Sequence, residues 1–222
     1  MGTLYLVRHG QASFGADNYD QLSPVGTQQC QRLGEYLRQR DHQFDTVFTG
    51  TLQRHLQTHD ALAQGLQVQH EPLRRPGLNE YDSHALIATV HPEPLQRPTS
   101  PEMYRHHFRL LRDGLKLWMD GKTQPAGMPS YREFSAGVAS VLDEVRAMDD
   151  ARVLLVSSGG PISTAVGLIL GIAPEVTIDL NMRIRNSSIT EFAYTPKRHM
   201  LVTYNTLPHL DDPELASWVT YA

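Results

Sequence analysis

Two continuous apolar runs, each followed at once by a glycine junction, constrain the fold more than any other feature of this 222-residue chain. The first run covers residues 4–7 and leads into an Arg-His-Gly triplet at 8–10, and the second covers residues 153–156 and leads into Ser-Ser-Gly-Gly at 157–160. Runs without alternating polar residues are typical of parallel strands that helices cover on both faces. We therefore predict an α/β fold in which both runs are central strands.

Helix and strand patterns alternate along the rest of the chain. Ser23 followed by Pro24 is a helix start signal, because the serine hydroxyl can cap a helix and proline suits its first turn. The patterns predict strands at residues 4–7, 46–49, 153–156, 187–194 and 199–205, and helices at 24–40, 52–63, 102–119, 133–148 and from about 161 onward. This alternation predicts a three-layer sandwich with a mostly parallel central sheet.

The remaining segments are expected to lie outside the sandwich. Residues 72–101 are rich in proline and too irregular for a core element, so we expect a surface loop with short helices. A helical lid or insertion is predicted at about 84–148, over the pocket, and the last residues are expected to trail across the surface. The simplest interpretation of residues 1–222 is one domain.

Composition and charge exclude several classes of partner. The chain has 20 basic and 24 acidic side chains, a net charge of -4, and no long run of Lys or Arg, so nucleic acid is not an expected partner. It has no signal-peptide pattern and no apolar stretch of about 18 residues, so we expect a cytoplasmic protein without membrane contact. Its single cysteine, Cys30, cannot form an internal disulfide and should be buried.

The Arg-His-Gly triplet indicates an anion site. Ligands of parallel α/β sheets collect at the carboxyl ends of the strands, where helix N-termini offer free amide groups. Arg8 and His9 stand at such an end, and Arg54 stands just after the predicted strand at 46–49. Taken alone, the triplet would be better explained by a solvated Arg-His pair, so the rest of the sequence has to decide.

The chain resembles the histidine phosphatase superfamily, the group that includes phosphoglycerate mutases, at several segments in the same order. The matching segments are Arg-His-Gly at 8–10, Leu-Ser-Pro-Val-Gly-Thr-Gln-Gln at 22–29, Leu-Gln-Arg-His-Leu-Gln-Thr at 52–58 and Leu-Asn-Glu at 78–80. The family counterparts of the second and third are Leu-Thr-x-x-Gly-x-x-Gln and Leu-x-Arg-Ala-x-Gln-Thr. The resemblance implies a phosphoglycerate mutase-like sandwich and a small phosphorylated substrate.

A further segment departs from the family. Residues 157–162 read Ser-Ser-Gly-Gly-Pro-Ile where the family carries Ser-His-Gly-Gly-Pro-Ile, so Ser158 replaces the second active-site histidine. In the family that histidine donates a charged hydrogen bond to the phosphoryl oxygens, and a serine can donate only a neutral one. Two readings stay open: a phosphatase with a re-tuned pocket, in which His84 could assist, or a phosphate-binding protein without turnover.

The resemblance also implies roles for individual side chains. His9 would be the nucleophile that forms a phosphohistidine, Arg8 and Arg54 would clamp the phosphoryl group, and Glu80 would be the general acid. Asp82 or His84 could replace Glu80, whose match to the family is loose. The candidate phosphate-binding residues are Arg8, Gln11, Arg54, Ser158 and Gly159.

Hydrolysis is favoured over mutase chemistry. Mutases of the family usually follow Arg-His-Gly with an acidic residue and then Trp-Asn, whereas residues 11–15 read Gln-Ala-Ser-Phe-Gly. No cofactor and no metal are expected: His55 and His59 replace alanine at helical spacing, but without a nearby third ligand they do not indicate a metal site. The substrate stays undetermined, a homodimer is one open oligomeric state, and a purely structural role is the residual alternative.

Overall fold

A six-stranded sheet forms the centre of the molecule. The structure is a computed structural model, and it describes residues 1–13, 20–96 and 98–221. The strands are β1 (Gly2–Arg8), β2 (Thr46–Thr49), β3 (Leu73–Arg74), β4 (Arg152–Ser157), β5 (Ile189–Thr195) and β6 (Arg198–Thr206). Their order is β3-β2-β4-β1-β5-β6, and only β5 runs against the others. The expected α/β fold with a mostly parallel sheet is confirmed.

Helices cover both faces of this sheet. They are α1 (Pro24–Gln39), α2 (Gln53–Leu66), α3 (Ser83–Ala88), α4 (Pro101–Met119), α5 (Tyr131–Arg146), α6 (Gly159–Leu170) and α7 (Pro174–Asn181). Helix α1 begins as the sequence predicts: the Ser23 hydroxyl accepts from the Gly26 amide, and Pro24 occupies the first position. Short 3-10 helices cover Pro76–Leu78, Pro208–Leu210 and Pro213–Trp218.

Two hydrophobic cores lie on opposite faces of the sheet, which makes the molecule a three-layer sandwich. One core joins Leu33 of α1 and Leu62 of α2 to Val7 of β1. The other joins Val141 of α5 and Ile162 of α6 to the opposite face of the sheet. This explains why the central strands are apolar at successive residues: each of them is buried on both faces of the sheet.

The helices within the predicted insertion at about 84–148 differ in what they pack against. Helices α3 and α4 form a separate apolar cluster that includes Leu86, Leu115 and Trp118. Helix α5 instead packs against the sheet through Val138 and Val145, so it belongs to an outer layer of the sandwich. An amphipathic pattern shows that a helix has a buried face, but it does not show which surface covers that face.

Other elements differ from the sequence prediction at their ends. The segment 72–101 contains β3, a strand of two exposed residues at the sheet edge, in addition to the expected short helices. Helix α6 begins at Gly159, two residues earlier than expected, and α7 was not predicted. Cys30 is fully buried in α1, as predicted.

The C-terminal segment does not simply trail across the surface. His209 and Leu210 are buried, and the His209 carbonyl accepts a hydrogen bond from Arg32 of α1. The Trp218 carbonyl accepts from the Gln29 side chain, which also donates to Thr220. Among the described residues, no helix is both long and apolar enough to cross a membrane.

Candidate active site

Three neighbouring parallel strands end at one edge of the sheet. In the strand order β2-β4-β1, Arg8 pairs with Ser157 and Thr49 pairs with Val156. The residues that follow these strands therefore meet, because the carboxyl ends of parallel strands lie at the same edge. This edge holds the polar side chains of the predicted site.

His9 has the geometry of a neutral nucleophile. Its Nδ1 atom lies 2.7 Å from the Gly10 carbonyl oxygen, which can only accept, so the ring proton resides on Nδ1 and Nε2 keeps its lone pair. Burial, Arg8, Arg54 and His55 all lower the His9 pKa well below its ordinary value. The imidazole is therefore unprotonated at Nε2 near neutral pH.

The backbone around His9 is fixed from several sides. Its carbonyl accepts hydrogen bonds from the Asn186 side chain and the Ser187 amide, each at 3.2 Å. The Gly10 amide donates to the Thr58 hydroxyl at 3.1 Å. Thr58 is the last residue of the Leu-x-Arg-x-x-Gln-Thr pattern, and Gln57 before it accepts from the Leu22 amide. This pattern thus anchors the His9 junction as well as supplying Arg54.

Arg8 is held by backbone carbonyls. Its Nη1 donates to the carbonyl of Ile184 at 2.6 Å and to that of Tyr221 at 2.8 Å, and 9% of the residue is exposed. A guanidinium has five donors in a fixed fork, so the two carbonyl bonds fix the orientation of the group. The C-terminal segment therefore contributes directly to the position of this arginine.

Arg54 is positioned by Asp20, a residue that the sequence prediction missed. The Asp20 carboxylate accepts from Arg54 Nη1 at 2.8 Å and from the backbone amides of Gln53 and Arg54. It thus caps α2, whose own N-cap residue, Leu52, offers no side-chain acceptor. Because Leu52 cannot cap the helix, the sequence already indicated that a side chain from elsewhere in the chain would accept from the first amides of α2.

Glu80 lies against the start of α6. Its Oε2 accepts from the Gly160 amide at 3.1 Å, and a Cβ atom at position 160 would lie 2.1 Å from its Oε1. Only glycine permits this approach. Burial raises the Glu80 pKa, while the Gly160 amide, Arg54 and Arg8 oppose the rise, which places the carboxyl within the field of both arginines.

Ser158 and Gly159 stand at the start of α6, at the same sheet edge. Ser158 is the N-cap residue of this helix, but its hydroxyl makes no capping bond and instead lies 2.7 Å from His55 Nε2. At Gly159 a Cβ atom would lie 3.8 Å from Nε of Arg8. The structure therefore brings Arg8, His9, Arg54, Glu80, Ser158 and Gly159 together.

Two predicted residues are placed elsewhere. The side chain of His84 is 92% exposed on α3, beside Asp82, which caps that helix, so the structure does not bring His84 to the site. The Gln11 side-chain oxygen accepts from the Ser23 hydroxyl, and the Gln11 backbone amide donates to the side-chain oxygen of Gln29. Its side chain thus holds the start of α1.

The paired histidines of α2 have partners other than a metal. His55 Nε2 faces Ser158, and His59 Nδ1 lies 3.1 Å from Asp60. Within residues 1–13, 20–96 and 98–221, no group of three His, Cys, Asp or Glu side chains is arranged to hold a metal ion.

We expect the protein to lose stability between pH 7 and pH 5. Burial lowers the pKa of His55 and of His209 to about 3, with Arg54 and Arg32 as the respective further causes. The unfolded chain takes up protons on both residues near their ordinary pKa, whereas the folded chain does not, so acidification favours unfolding. Each histidine should cost about 2 kcal/mol at pH 5 relative to pH 7.

Thermal unfolding at pH 7, 6 and 5 tests this expectation. Glu80 acts in the opposite direction, because its pKa is raised, but the lowered pKa values of His9 and His199 act in the same direction as those of His55 and His209. A melting temperature that stays level or rises on acidification would contradict the prediction. A His209→Gln variant should show a weaker dependence on pH.

A match to a known protein family decides what kind of site this is. The model of the histidine phosphatase superfamily, branch 1, matches residues 4–207. The chain belongs to the histidine phosphatase superfamily. The expectation from the sequence segments at 8–10, 52–58 and 78–80 is thus confirmed at the level of the family.

The relatives that are similar to this chain in sequence or in structure include phosphatases and a mutase. A provisionally named phosphoserine phosphatase 2 of Hydrogenobacter thermophilus is 25% identical over 224 residues, 94% of this chain and 98% of the relative. A phosphoserine phosphatase mutant from Entamoeba histolytica, in complex with phosphoserine, has a TM-score of 0.67 at 20% identity and covers 95% of this chain and 100% of its own. A phosphoglycerate mutase from Bacillus anthracis has a TM-score of 0.66 at 17% identity, with 94% of each chain covered. The two structures confirm the fold.

Proposed function

We propose that this histidine phosphatase superfamily member is a phosphomonoester hydrolase that works through a phosphohistidine on His9. The observation that supports this most directly is the buried His9 ring, whose Nδ1–H is committed to the Gly10 carbonyl while Nε2 keeps its lone pair. Arg8 and Arg54 lie close enough to lower the pKa of this ring. A nucleophile in the field of two guanidinium groups suits attack on an anionic phosphoryl group.

The reaction runs in two halves. In the first, His9 Nε2 attacks phosphorus, the bond from phosphorus to the ester oxygen breaks, and protonated Glu80 gives its proton to the leaving oxygen. In the second, the Glu80 carboxylate takes a proton from water, whose oxygen attacks phosphorus. The bond from phosphorus to His9 Nε2 breaks, its electron pair returns to the ring, and inorganic phosphate is released. The raised pKa of Glu80 suits the protonated form that the first half needs.

Glu80→Gln should show whether this residue is the acid. We expect turnover of alkyl monoesters such as phosphoserine to fall about 10²- to 10⁴-fold, since their leaving oxygen needs a proton. Hydrolysis of p-nitrophenyl phosphate should fall much less, because its leaving group departs as a stable anion. The ratio of kcat/KM for the two substrates measures this.

Asp82→Asn is the matched control for Glu80. Asp82 caps α3 through its side chain, and asparagine keeps a capping oxygen. This variant should therefore leave kcat/KM unchanged for both substrates. Equal losses for both substrates in Glu80→Gln, or a selective loss in Asp82→Asn, would assign the acid to another group.

Phosphate release from a panel of monoesters tests the proposed function. The panel should contain p-nitrophenyl phosphate, phosphoserine and 3-phosphoglycerate, the latter two being small anionic monoesters. Release that is absent from His9→Ala and persists in EDTA is the expected result. Wild-type release no greater than that of His9→Ala, across the whole panel, would refute the proposal.

Ser158 favours a second candidate, a phosphate-binding protein without turnover. A neutral hydroxyl stands where the family pattern has a histidine, and loss of a comparable donor lowers turnover about 10²- to 10³-fold. This candidate predicts saturable binding of inorganic phosphate that Arg8→Ala abolishes. Rapid hydrolysis of any bound monoester would rule it out.

A further inference from the structure

Two positions at which this chain departs from the family pattern are in contact. His55 stands where the pattern has alanine, and Ser158 stands where it has the second histidine. The His55 Nε2 atom lies 2.7 Å from Ser158 Oγ across a separation of 103 positions. Both residues have 0% exposure. The imidazole missing from the start of α6 is therefore matched by one supplied from the first turn of α2.

The His55 ring has a fitted place beside the nucleophile. Its centroid lies 5.8 Å from that of His9, with 35° between the ring planes. Next to it, Gly50 directly follows β2, and a Cβ atom there would lie 2.1 Å from Nδ1 of His55. A side chain at position 50 would push the ring away, so the glycine reserves this space for it.

The surroundings of His55 decide which nitrogen carries its proton. Nδ1 is buried and has no hydrogen-bond partner within the part of the chain that the structure describes. Because a buried donor without a partner is rarer than a buried acceptor without one, we assign the proton to Nε2. The ring then donates to Ser158 Oγ, and the serine hydroxyl hydrogen is left to bond another acceptor.

We propose that His55 and Ser158 together replace the second histidine: Ser158 donates its hydroxyl hydrogen to a phosphoryl oxygen, and His55 is the positioning residue that holds this hydroxyl. This inference rests on the proposed function. A lone serine hydroxyl rotates freely, whereas one that accepts from a fixed imidazole has its own hydrogen directed away from that ring. A preoriented donor stabilises the transition state better than one that must first be ordered.

The charge of His55 agrees with this role. Burial, and then Arg54, lower its pKa to about 3, so the ring donates as a neutral imidazole near neutral pH. The pair thus supplies a hydrogen bond without adding a third positive charge beside Arg8 and Arg54.

A double-mutant cycle on the two residues tests the proposal. The readouts are kcat and KM with p-nitrophenyl phosphate, and the affinity for orthovanadate, an oxyanion that resembles the transferring phosphoryl group. Ser158→Ala should lower kcat about 10²-fold, and His55→Ala about 10-fold, with smaller changes in KM. The double alanine variant should be no worse than Ser158→Ala, because residues that act as a unit are not additive.

Two further variants separate positioning from simple packing. His55→Gln keeps an amide donor near the place of Nε2 and should recover most of the activity that His55→Ala loses. His59→Ala removes another buried histidine from the same helix, four residues on, and is the matched control. It should lower stability without a selective loss of kcat or of orthovanadate affinity.

An exchange of the two residues gives the sharpest outcome. Ser158→His alone should lose activity, because His55 Nε2 already stands 2.7 Å from the serine oxygen and obstructs a larger ring. His55→Ala with Ser158→His restores the alanine and histidine of the family pattern and should be more active than either single variant. If the double variant instead lost as much activity as the two single variants combined, the proposal would be overturned.

Failure of this inference can be told apart from failure of the proposed function. If His9→Ala abolishes turnover while His55→Ala matches the wild type in kcat and in orthovanadate affinity, the function stands and the role of His55 is refuted. If the wild type has no turnover, weaker orthovanadate binding by His55→Ala than by His59→Ala supports the pair as a phosphate-binding device. Equal binding refutes it.

Discussion

A His9→Ala variant should lose phosphate release by on the order of 10⁴-fold or more, the scale expected when a covalent nucleophile is removed. The reason lies in the His9 ring, which is buried, neutral and bonded through Nδ1 to the Gly10 carbonyl. Within the described part of the chain, the other buried ring near it is His55, whose Nε2 is already engaged by Ser158. Among the residues that the structure describes, no second imidazole is therefore placed to accept the phosphoryl group.

Acid-quench and alkali-quench experiments on the phosphorylated protein check the same point. Labelled substrate should leave a label on the wild type that survives alkali and is lost in acid, as expected for a phosphorus–nitrogen bond, and no such label on His9→Ala. The variant should still bind orthovanadate, because Arg8 and Arg54 remain. A stable label on His9→Ala would move the nucleophile to another residue.

Arg54→Ala should lower kcat/KM about 10²- to 10³-fold, the usual cost of removing a group that stabilises transition-state charge. Arg54 lies in the first turn of α2, is 6% exposed and is oriented by its bond to Asp20. Its planar fork can hold two phosphoryl oxygens at once, which a point charge cannot do. Steady-state rates with p-nitrophenyl phosphate measure the loss.

Two companion variants show whether the fork or only the charge matters. Arg54→Lys keeps a positive charge but loses the bidentate geometry, so it should recover only part of the activity. Asp20→Asn keeps oxygen and amide groups near the start of α2 but weakens the ion pair with Arg54. It should raise KM modestly. Full activity of Arg54→Ala would show that Arg54 serves only to anchor Asp20.

Local sequence patterns predicted the elements that carry most of the site. The apolar run before Arg8 and the run at 153–156 end at neighbouring strand ends, and this follows from the burial of parallel strands. The predicted strand at 46–49 agrees with β2, and it places Arg54 at the same edge. Glu80 was the weakest of these predictions, because a loop carboxylate has no periodicity to locate it.

Contacts between distant parts of the chain could not be read from the same patterns. Strand β3 has only two residues, both exposed, so neither length nor burial distinguishes it from a loop. Asp20 caps helix α2 by accepting from the amide of Gln53, which lies 33 positions later in the chain. His84 was expected as an assistant because its residue type suits the chemistry, but residue type does not show that a helix turns it to solvent. The single-domain organisation and cytoplasmic location stay predictions.

The contact between His55 and Ser158 changes how sequences like this one should be classified. A search pattern that requires histidine after the fourth strand would class this chain as a family member that has lost part of its active site, because the pattern tests each sequence position separately. The physical unit is instead a pair of sequence positions, one in the first turn of α2 and one at the N-cap of α6, whose side chains are joined by a 2.7 Å contact. A serine at the position of Ser158 therefore indicates a different active site when the position of His55 holds histidine than when it holds alanine.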